Sequence, residues 1–327
     1  MAGNIWVLAD HWRGQLSEIT YELLVLGREL AAEAGGSLQA ILLGHNVKDL
    51  AAGLGAADSV LYVDLPELAE PSADVYGQVL AQLFQAKQPQ TLLVPLTNAL
   101  WEVVGVLPAQ LQIPFVNFCL DAKMVAGQIR ARCLLYGGKM EATVTAPGPV
   151  LLGILSGARL ADQGRAEKAP AVEEVAVTPP GSSRVRFKQY IEAEAGDVDI
   201  TQQEVLVSVG RGIQTQDNIA LAQELADAFG GAVSGSRPVI DQGWLPLSRQ
   251  VGKSGASVKP KLYLACGISG APEHVEGMRN AALIVAVNTD PQAPIFNVAH
   301  YGVVADIFEV LPVLTEEIRR RQASRAA

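Results

Sequence analysis

The residues best suited to chemistry lie in the last third of the chain, where a glycine-rich turn precedes a histidine. Gly267, Ser269 and Gly270 follow an apolar run that predicts a buried strand, and His274 falls on the first turn of the helix predicted next. Such a turn brings backbone N–H groups close to a phosphate, and a histidine there can donate a hydrogen bond to a cofactor ring. The pattern therefore predicts a nucleotide-type ligand at the edge of an α/β sheet.

Two arginines follow neighbouring predicted strands of the same region. Arg211 lies in a Gly-Arg-Gly turn, and Arg237 comes directly after Ser236. A guanidinium beside exposed backbone N–H groups suits a pyrophosphate, and a cation above a redox ring stabilises negative charge on it. Plain surface turns are the alternative interpretation of both.

Two further loops offer hydroxyl and amide groups. Val251, Gly252, Lys253 and Ser254 form part of a loop that lacks the spacing of a phosphate loop but can offer a hydroxyl and N–H groups to a ring nitrogen. Asn288 precedes Thr-Asp-Pro, which predicts either an Asx turn or a hydrogen bond to a nucleotide sugar or base. His11, His45 and His300 have no ligand spacing with one another or with cysteine, so no metal site is expected.

The elements that must position these groups predict an α/β protein of two domains, each with a mainly parallel sheet flanked by helices. The first domain is expected at residues 1–157, and from residue 4 to about residue 111 apolar runs alternate with amphipathic stretches, as in stacked β-α-β units. The run at 150–155 is expected to belong, with the runs at 115–119, 128–136 and 141–145, to an antiparallel annex that closes this domain. No G-x-G-x-x-G follows any of its strands, so no dinucleotide is expected there.

Residues 158–203 are polar and rich in proline and alanine, which predicts an extended linker. A second domain, residues 204–327, follows with strands at 205–209, 232–234, 262–266 and 283–287. Helices are expected at 218–229, from about residue 271, and from residue 305 or later.

The composition excludes several classes of protein. The net charge of −9 and the pI near 5.0 argue against nucleic acid as a partner, because phosphate binding relies on clustered Lys and Arg. No apolar run reaches the roughly 20 residues that a membrane-spanning helix needs. Three widely spaced cysteines predict buried thiols in a reducing compartment, and the start of the sequence shows no leader, so a cytoplasmic location is expected.

Residues 204–315 resemble the α subunit of electron transfer flavoproteins. The motifs SRPVIDQGWLP, RQVGKSG, LYLACGISG, IVAVNTDPQAPIF and YGVVADIF follow one another in the order and spacing of that family. The first domain resembles the family more loosely. The resemblance implies a Rossmann-like, DHS-like C-terminal domain that binds non-covalent FAD.

The resemblance also assigns candidate FAD-binding residues. It implies that Arg211 lies at the pyrophosphate, that Ser236 and Arg237 lie beside the isoalloxazine ring, and that the loop 251–254 approaches the flavin N5. It further implies that a turn with a histidine lies at the pyrimidine carbonyl; this turn consists of Ser269, Gly270, Ala271, Pro272, Glu273 and His274. The residues implied around the adenosine end are Asn288, Asp306 and Ile307.

The resemblance also implies a heterodimer with a smaller β subunit, which carries AMP or a second FAD. The implied role is a non-enzymatic carrier, which moves electrons from flavin-containing dehydrogenases, such as the acyl-CoA dehydrogenases of fatty acid β-oxidation, to a downstream acceptor. Electron bifurcation from NADH is the other family role. Lys253, Pro272, Glu273 and His300 depart from the usual pattern, so the resemblance does not fix the flavin potential.

Two alternatives use the same residues differently. An NAD- or adenine-nucleotide-dependent enzyme could occupy the same sheet edge, with Asp227 at a workable distance from the Gly-Arg-Gly turn to hold a ribose. An interaction subunit that has lost its cofactor is the third interpretation, which rests on Pro272 and Glu273.

Overall fold

Each of the two units of the chain is built around one sheet of buried strands. The computed structural model describes residues 3–326 except 137, 139, 167, 182, 184 and 191–196. The units divide between Gln189 and Tyr190. Both sheets are mainly parallel and flanked by helices, as the sequence predicts.

The first unit contains a nine-stranded sheet among its described residues, with the order β11-β5-β4-β1-β6-β10-β7-β8-β9. Its strands and those of a small hairpin are β1 (Ile5–Leu8), β2 (His11–Trp12), β3 (Gln15–Leu16), β4 (Leu38–Gly44), β5 (Ser59–Asp64), β6 (Thr91–Pro95), β7 (Phe115–Val125), β8 (Gln128–Leu135), β9 (Met140–Pro147), β10 (Val150–Ile154) and β11 (Ala171–Glu174). The α-helices are α1 (Glu18–Ala34), α2 (Ala73–Lys87) and α3 (Trp101–Leu111). The strands from β11 to β7 run parallel, and β7, β8 and β9 are antiparallel.

The prediction that the run at 150–155 belongs to the antiparallel annex is wrong. The strand β10 lies between β6 and β7 and is parallel to both. All five of its residues are buried, as in a strand covered on both faces, whereas β8 alternates between buried and exposed residues. Continuous burial rather than alternation was the signal for a central parallel strand.

The segment 158–203 is not wholly a linker. Residues Ala171–Glu174 pair in parallel with β5 and form an edge of the first sheet. All four of these residues are exposed, so no hydrophobic run marks the strand in the sequence. The domain boundaries derived from the sequence stay a prediction.

The second unit contains a five-stranded sheet among its described residues, with all neighbours parallel and the order β13-β12-β14-β15-β16. The strands are β12 (Val205–Val209), β13 (Ala232–Gly235), β14 (Leu262–Cys266), β15 (Ile284–Asn288) and β16 (Tyr301–Val304). The helices are α4 (Ile219–Phe229), α5 (Arg237–Asp241), α6 (Pro272–Met278) and α7 (Ile307–Ala326).

Aliphatic side chains cover both faces of this second sheet. One face packs Leu206, Tyr263 and Ala265 against α6 and the loop before β14, and the other packs Val207 and Leu264 against α4 and α7. Side chains that alternate between two buried layers are what a central parallel strand requires. The carboxyl ends of all five strands therefore meet at one edge.

All three cysteines are buried free thiols, as the sequence predicts. Two of them, Cys119 and Cys133, face each other across β7 and β8 with 3.6 Å between their Sγ atoms. Of the helices in the described part of the chain, none is both long and apolar enough to cross a membrane.

Candidate functional site

The candidate site lies at the carboxyl edge of the second sheet. The chain enters this sheet at β12, continues to β13 on one side and then returns to β14 on the other side. This reversal leaves a crevice between the loops that follow β12 and β14, where parallel α/β sheets bind their ligands. All sixteen residues predicted from the sequence lie at or after the carboxyl end of a strand of this sheet, or in a loop packed against that edge.

The loops after β12 and β14 contact each other through glycine backbones. The N–H groups of Gly210 and Gly212 donate to the carbonyls of Cys266 (2.9 Å) and Gly267 (3.2 Å). A Cβ atom at Gly210 would lie 2.2 Å from the Gly267 carbonyl oxygen, so no larger residue fits. The contact carries Arg211 to the rim, where its guanidinium is exposed and makes no hydrogen bond or ion pair with the described residues. A free guanidinium beside close-packed backbone suits a pyrophosphate.

Ser236 and Arg237 lie where β13 ends and the short helix α5 begins, and the sequence did not predict this helix. The N–H of Ser236 donates to the Val209 carbonyl (3.0 Å), which ties the end of β13 to the end of β12. Ser236 is buried, and Arg237 is exposed with Nε 3.4 Å from Asp241 Oδ2. An exposed pair of this kind contributes at most about 0.5 kcal/mol, so Arg237 is available to a ligand.

The loop that contains Val251 and Ser254 lies along the first turn of α6. The N–H of Val251 donates to the Gly235 carbonyl (2.9 Å), and the N–H of Lys253 donates to the Glu273 carbonyl (2.7 Å). These bonds connect the end of β13, the loop and α6 in one continuous structure. The side chain of Val251 is buried in the core, so only its backbone can face a ligand.

Two side chains of this loop have partners in the structure. The Ser254 hydroxyl accepts a hydrogen bond from Gln250 Nε2 (2.8 Å), and Gln250 is buried. The Nζ atom of Lys253 lies 4.0 Å from Glu276 Oε2, so the lysine is directed along α6 toward a carboxylate. Burial raises the pKa of Glu276, and the Lys253 charge opposes that rise.

His274 is the buried polar residue of the site. Its Nε2 lies 2.9 Å from the Tyr263 hydroxyl, and its Nδ1 has no hydrogen-bond partner among the described residues. Burial lowers the pKa of His274 to about 4, and the Val251 backbone opposes part of this lowering. The imidazole is therefore neutral near pH 7, with one ring nitrogen left for a ligand.

The first turn of α6 has little part in the lowered pKa of His274. The helix has only seven residues, and burial is the main cause of the shift. Pro272 lies in the first helical turn, where it displaces no hydrogen bond. Ala271, Pro272 and Glu273 are exposed, and the Glu273 carbonyl accepts the hydrogen bond from Lys253.

The remaining predicted residues complete the same edge. The carbonyl of Ser269 accepts a hydrogen bond from Ile295 N–H (3.0 Å), and the next residue, Gly270, has a φ of 88°. The side chain of Asn288 donates to the Ile268 carbonyl (2.9 Å) and accepts from the Asp290 N–H (2.9 Å). The amide of Asn288 thus forms an Asx turn, the structural alternative that the sequence allowed.

Asp306 and Ile307 begin α7 at the end of β16. The Asp306 carboxylate accepts a hydrogen bond from the Phe308 N–H (3.0 Å), and Ile307 is buried in the core. Ile307 can therefore contribute only its backbone to a ligand. His300, which had no role in the sequence analysis, accepts a hydrogen bond from the Ile284 N–H through Nδ1 (2.9 Å) and fixes the loop that leads into β16.

Two residues of this region were missed in the sequence. Tyr263 and Gln250 are both buried and bond to predicted site residues, one to His274 and the other to Ser254. The only signal for Tyr263 is a phenolic hydroxyl in an otherwise apolar strand, because a buried hydroxyl needs a partner.

The geometry fits a long anionic cofactor with a polar ring. A free guanidinium, glycine-lined backbone and an uncharged imidazole with a buried, unpaired nitrogen lie along one edge. A ribose-holding carboxylate for NAD is not supplied by Asp227, because it lies inside α4 and accepts a hydrogen bond from Gln223 (2.7 Å) on the same helix.

Comparisons with known proteins agree with this geometry. Residues 199–279 match the family model described as the electron transfer flavoprotein FAD-binding domain, and residues 5–180 match the electron transfer flavoprotein domain. The electron transfer flavoprotein subunit alpha of Thermoanaerobacterium thermosaccharolyticum is 34% identical over 97% of this chain and 98% of its own length.

Two further relatives carry the names of larger complexes. The acryloyl-CoA reductase electron transfer subunit beta of Anaerotignum propionicum is 34% identical over 97% of this chain and 95% of its own length. The lactate dehydrogenase (NAD(+),ferredoxin) subunit LctC of Acetobacterium woodii is 34% identical over 95% of this chain and 76% of its own length. Since both family models and relatives along nearly the whole chain agree, this chain belongs to the electron transfer flavoprotein family as an α, or large, subunit, and its cofactor is FAD.

Proposed function

We propose that this chain is the FAD-carrying half of a heterodimer completed by a smaller β subunit. It takes electrons from flavin-containing dehydrogenases, such as the acyl-CoA dehydrogenases of fatty acid β-oxidation, and delivers them to a downstream acceptor. The bound FAD supplies the chemistry, since it accepts and releases electrons. The protein supplies binding, orientation and electrostatics, and bond chemistry on the substrate is left to the partner enzyme.

The observation that carries this proposal is the convergence on one sheet edge of the segments at the ends of the five strands and of the loop 251–254. In this arrangement Arg211 neutralises the pyrophosphate, and Arg237 places a positive charge beside the isoalloxazine. The Ser254 hydroxyl approaches N5, and His274 hydrogen-bonds the pyrimidine carbonyl. Asn288, Asp306 and the Ile307 backbone hold the adenosine end.

The site favours a bound but not covalently attached flavin. Each contact above is a hydrogen bond or an ion pair, and none is a covalent bond to the ring. His274 is buried and stays neutral near pH 7. An uncharged donor stabilises charge on a reduced ring without the penalty of burying a second ion.

The test is to purify the chain co-expressed with a β subunit and to record its visible absorption. A yellow heterodimer with flavin bands, bleached by a dehydrogenase and its substrate, is the expected result. A colourless heterodimer would contradict flavin binding, while a yellow one that no flavoprotein dehydrogenase reduces would contradict the proposed electron source. A cytoplasmic location stays a prediction.

A second role, electron bifurcation, is favoured by one observation. The relative from Acetobacterium woodii carries NAD(+) and ferredoxin in its name and is 34% identical to this chain. A bifurcating complex contains a second FAD and is reduced by NADH. Reduction of the purified complex by NADH alone, with two FAD per heterodimer, would assign this role instead of the simple carrier.

A further inference from the structure

Three hydroxyl groups lie in the apolar layer directly beneath the candidate site. Ser208 on β12, Ser234 on β13 and Tyr263 on β14 are all completely buried. Ser208 and Ser234 are partners in the register of the sheet, and Tyr263 projects from the same face. Burying three hydroxyls among aliphatic residues costs free energy unless they bond to something, so the cluster calls for a reason beyond packing.

The cluster is connected to the site through one hydrogen bond. The Tyr263 hydroxyl lies 2.9 Å from Nε2 of His274, and the two ring centroids are 6.1 Å apart. Both groups are uncharged near pH 7, because burial raises the pKa of the phenol and lowers that of the imidazole. The hydrogen bond therefore contains one proton. If the Tyr263 hydroxyl donates it, the proton of the neutral imidazole lies on Nδ1; if Nε2 donates it, Nδ1 carries no proton.

The two serines indicate that the Tyr263 hydroxyl is the donor of this hydrogen bond. The hydroxyls of Ser208 and Ser234 make no hydrogen bond with other described residues, yet they lie close enough to the phenol to oppose part of the rise in its pKa. They are thus available as donors to the Tyr263 oxygen. With its oxygen accepting, the phenol directs its single proton at Nε2, and the proton of the neutral imidazole lies on Nδ1.

Nδ1 of His274 is buried and makes no hydrogen bond of normal geometry with the described residues, although the Val251 backbone lies close enough to the ring to oppose part of the fall in its pKa. A buried N–H without a well-placed acceptor is costly, and a ring carbonyl of a bound flavin would supply one. We propose that Tyr263, supported by Ser208 and Ser234, is a positioning residue that holds His274 in the Nδ1-protonated form, so that this histidine donates to the flavin. The inference rests on the proposed contact between His274 and the flavin.

The direct test is the protonation state of His274 in the FAD-bound heterodimer, measured by the nitrogen-15 shifts of its ring. The chain has four histidines, and a His274→Gln sample identifies the signal. Nδ1 is expected to give the shift of a protonated nitrogen and Nε2 that of an acceptor. The reverse pattern in the native protein would overturn the proposal without any variant.

Tyr263→Phe provides the second measurement, since it removes only the hydroxyl. We expect the Nδ1-protonated signal of His274 to be lost or mixed, FAD affinity to fall, and the midpoint potential of the bound flavin to shift downward. Tyr62→Phe is the matched control, because Tyr62 is also buried and its hydroxyl accepts a hydrogen bond from Val47 N–H (3.1 Å) in the first unit. This control should lose stability and leave the histidine signal and the potential unchanged.

The outcomes separate this inference from the proposed function. A heterodimer without FAD contradicts the proposed function itself. A heterodimer that binds FAD while Tyr263→Phe leaves both the His274 signal and the flavin potential unchanged contradicts only the positioning role. If Tyr263→Phe does not fold, the double variant Ser208→Ala and Ser234→Ala removes both donors, and an unchanged His274 signal in that variant has the same meaning.

Discussion

Gly252→Ala is expected to separate the loop 251–254 from α6 and to weaken FAD binding. Gly252 has a φ of 139°, which residues with a side chain rarely adopt, and an added Cβ would lie 2.9 Å from the Glu273 carbonyl oxygen. The same carbonyl accepts the hydrogen bond from the Lys253 N–H (2.7 Å). Because backbone lies on both sides of the contact, the clash is relieved only if the loop moves away.

The cost has two parts. Forcing alanine into this region of φ costs about 1–3 kcal/mol, and losing the Lys253 bond to Glu273 adds about 1 kcal/mol. A total of about 2–4 kcal/mol is expected in the free energy of unfolding of the second unit. If about 1.4 kcal/mol of this cost destabilises only the FAD-bound form, FAD affinity decreases about tenfold.

Gly243→Ala is the matched control, since Gly243 has a φ of 70° with open space around its Cβ position. It should cost about 1 kcal/mol in stability and leave FAD affinity unchanged. Fluorescence titration of the deflavinated heterodimer with FAD measures the affinity, and denaturant unfolding measures the stability. Equal FAD affinities in the two variants would refute the claim that the loop 251–254 is held against α6 as part of the FAD site.

Three other predictions can be checked by standard measurements. The pKa of His274 is about 4 in the folded state and near 6.5 when unfolded, so the unfolded chain takes up a proton first as the pH falls. The free energy of unfolding should therefore fall by about 2 kcal/mol from pH 7 to pH 5 in denaturant titrations. This pH dependence should be weaker in His274→Gln. The Arg249 guanidinium lowers the pKa of Asp197 to about 2, so stability is kept above pH 4 and lost as pH falls toward 2; Arg249→Ala should remove this loss, and an unchanged acid limb would contradict it. Arg237→Ala should lower the flavin midpoint potential in a dye-coupled titration without changing the unfolding midpoint, whereas Arg320→Ala on α7 should change neither quantity.

The central strands could be predicted because their residues are buried on both faces. The bounds of Val205–Val209 and Leu262–Cys266 agree with the sequence prediction, since each is a mainly apolar run between a charged residue and a glycine. The edge strand Tyr301–Val304 was missed because all four of its residues are exposed. Edge strands lack the burial pattern on which the prediction relies.

The site could be located from the sequence, but its internal contacts could not. Glycine and polar residues after successive parallel strands point to one edge, whatever the register. The contact of Gly252 with Glu273 and that of Tyr263 with His274 depend on how a loop packs on a helix, which no local pattern encodes. The lowered pKa of His274 illustrates the difference, because its main cause is burial by distant residues and not the helix on which it lies.

We propose that the carboxyl edge of the second sheet holds the flavin, with His274 at the ring. Difference electron density for FAD in a structure of the purified heterodimer tests it most directly. The isoalloxazine is expected between Arg237, Ser254 and His274, with Nδ1 of His274 at hydrogen-bonding distance from a ring carbonyl. The pyrophosphate is expected beside Arg211. Flavin density away from these residues, or a ring whose polar atoms do not approach His274, would contradict it.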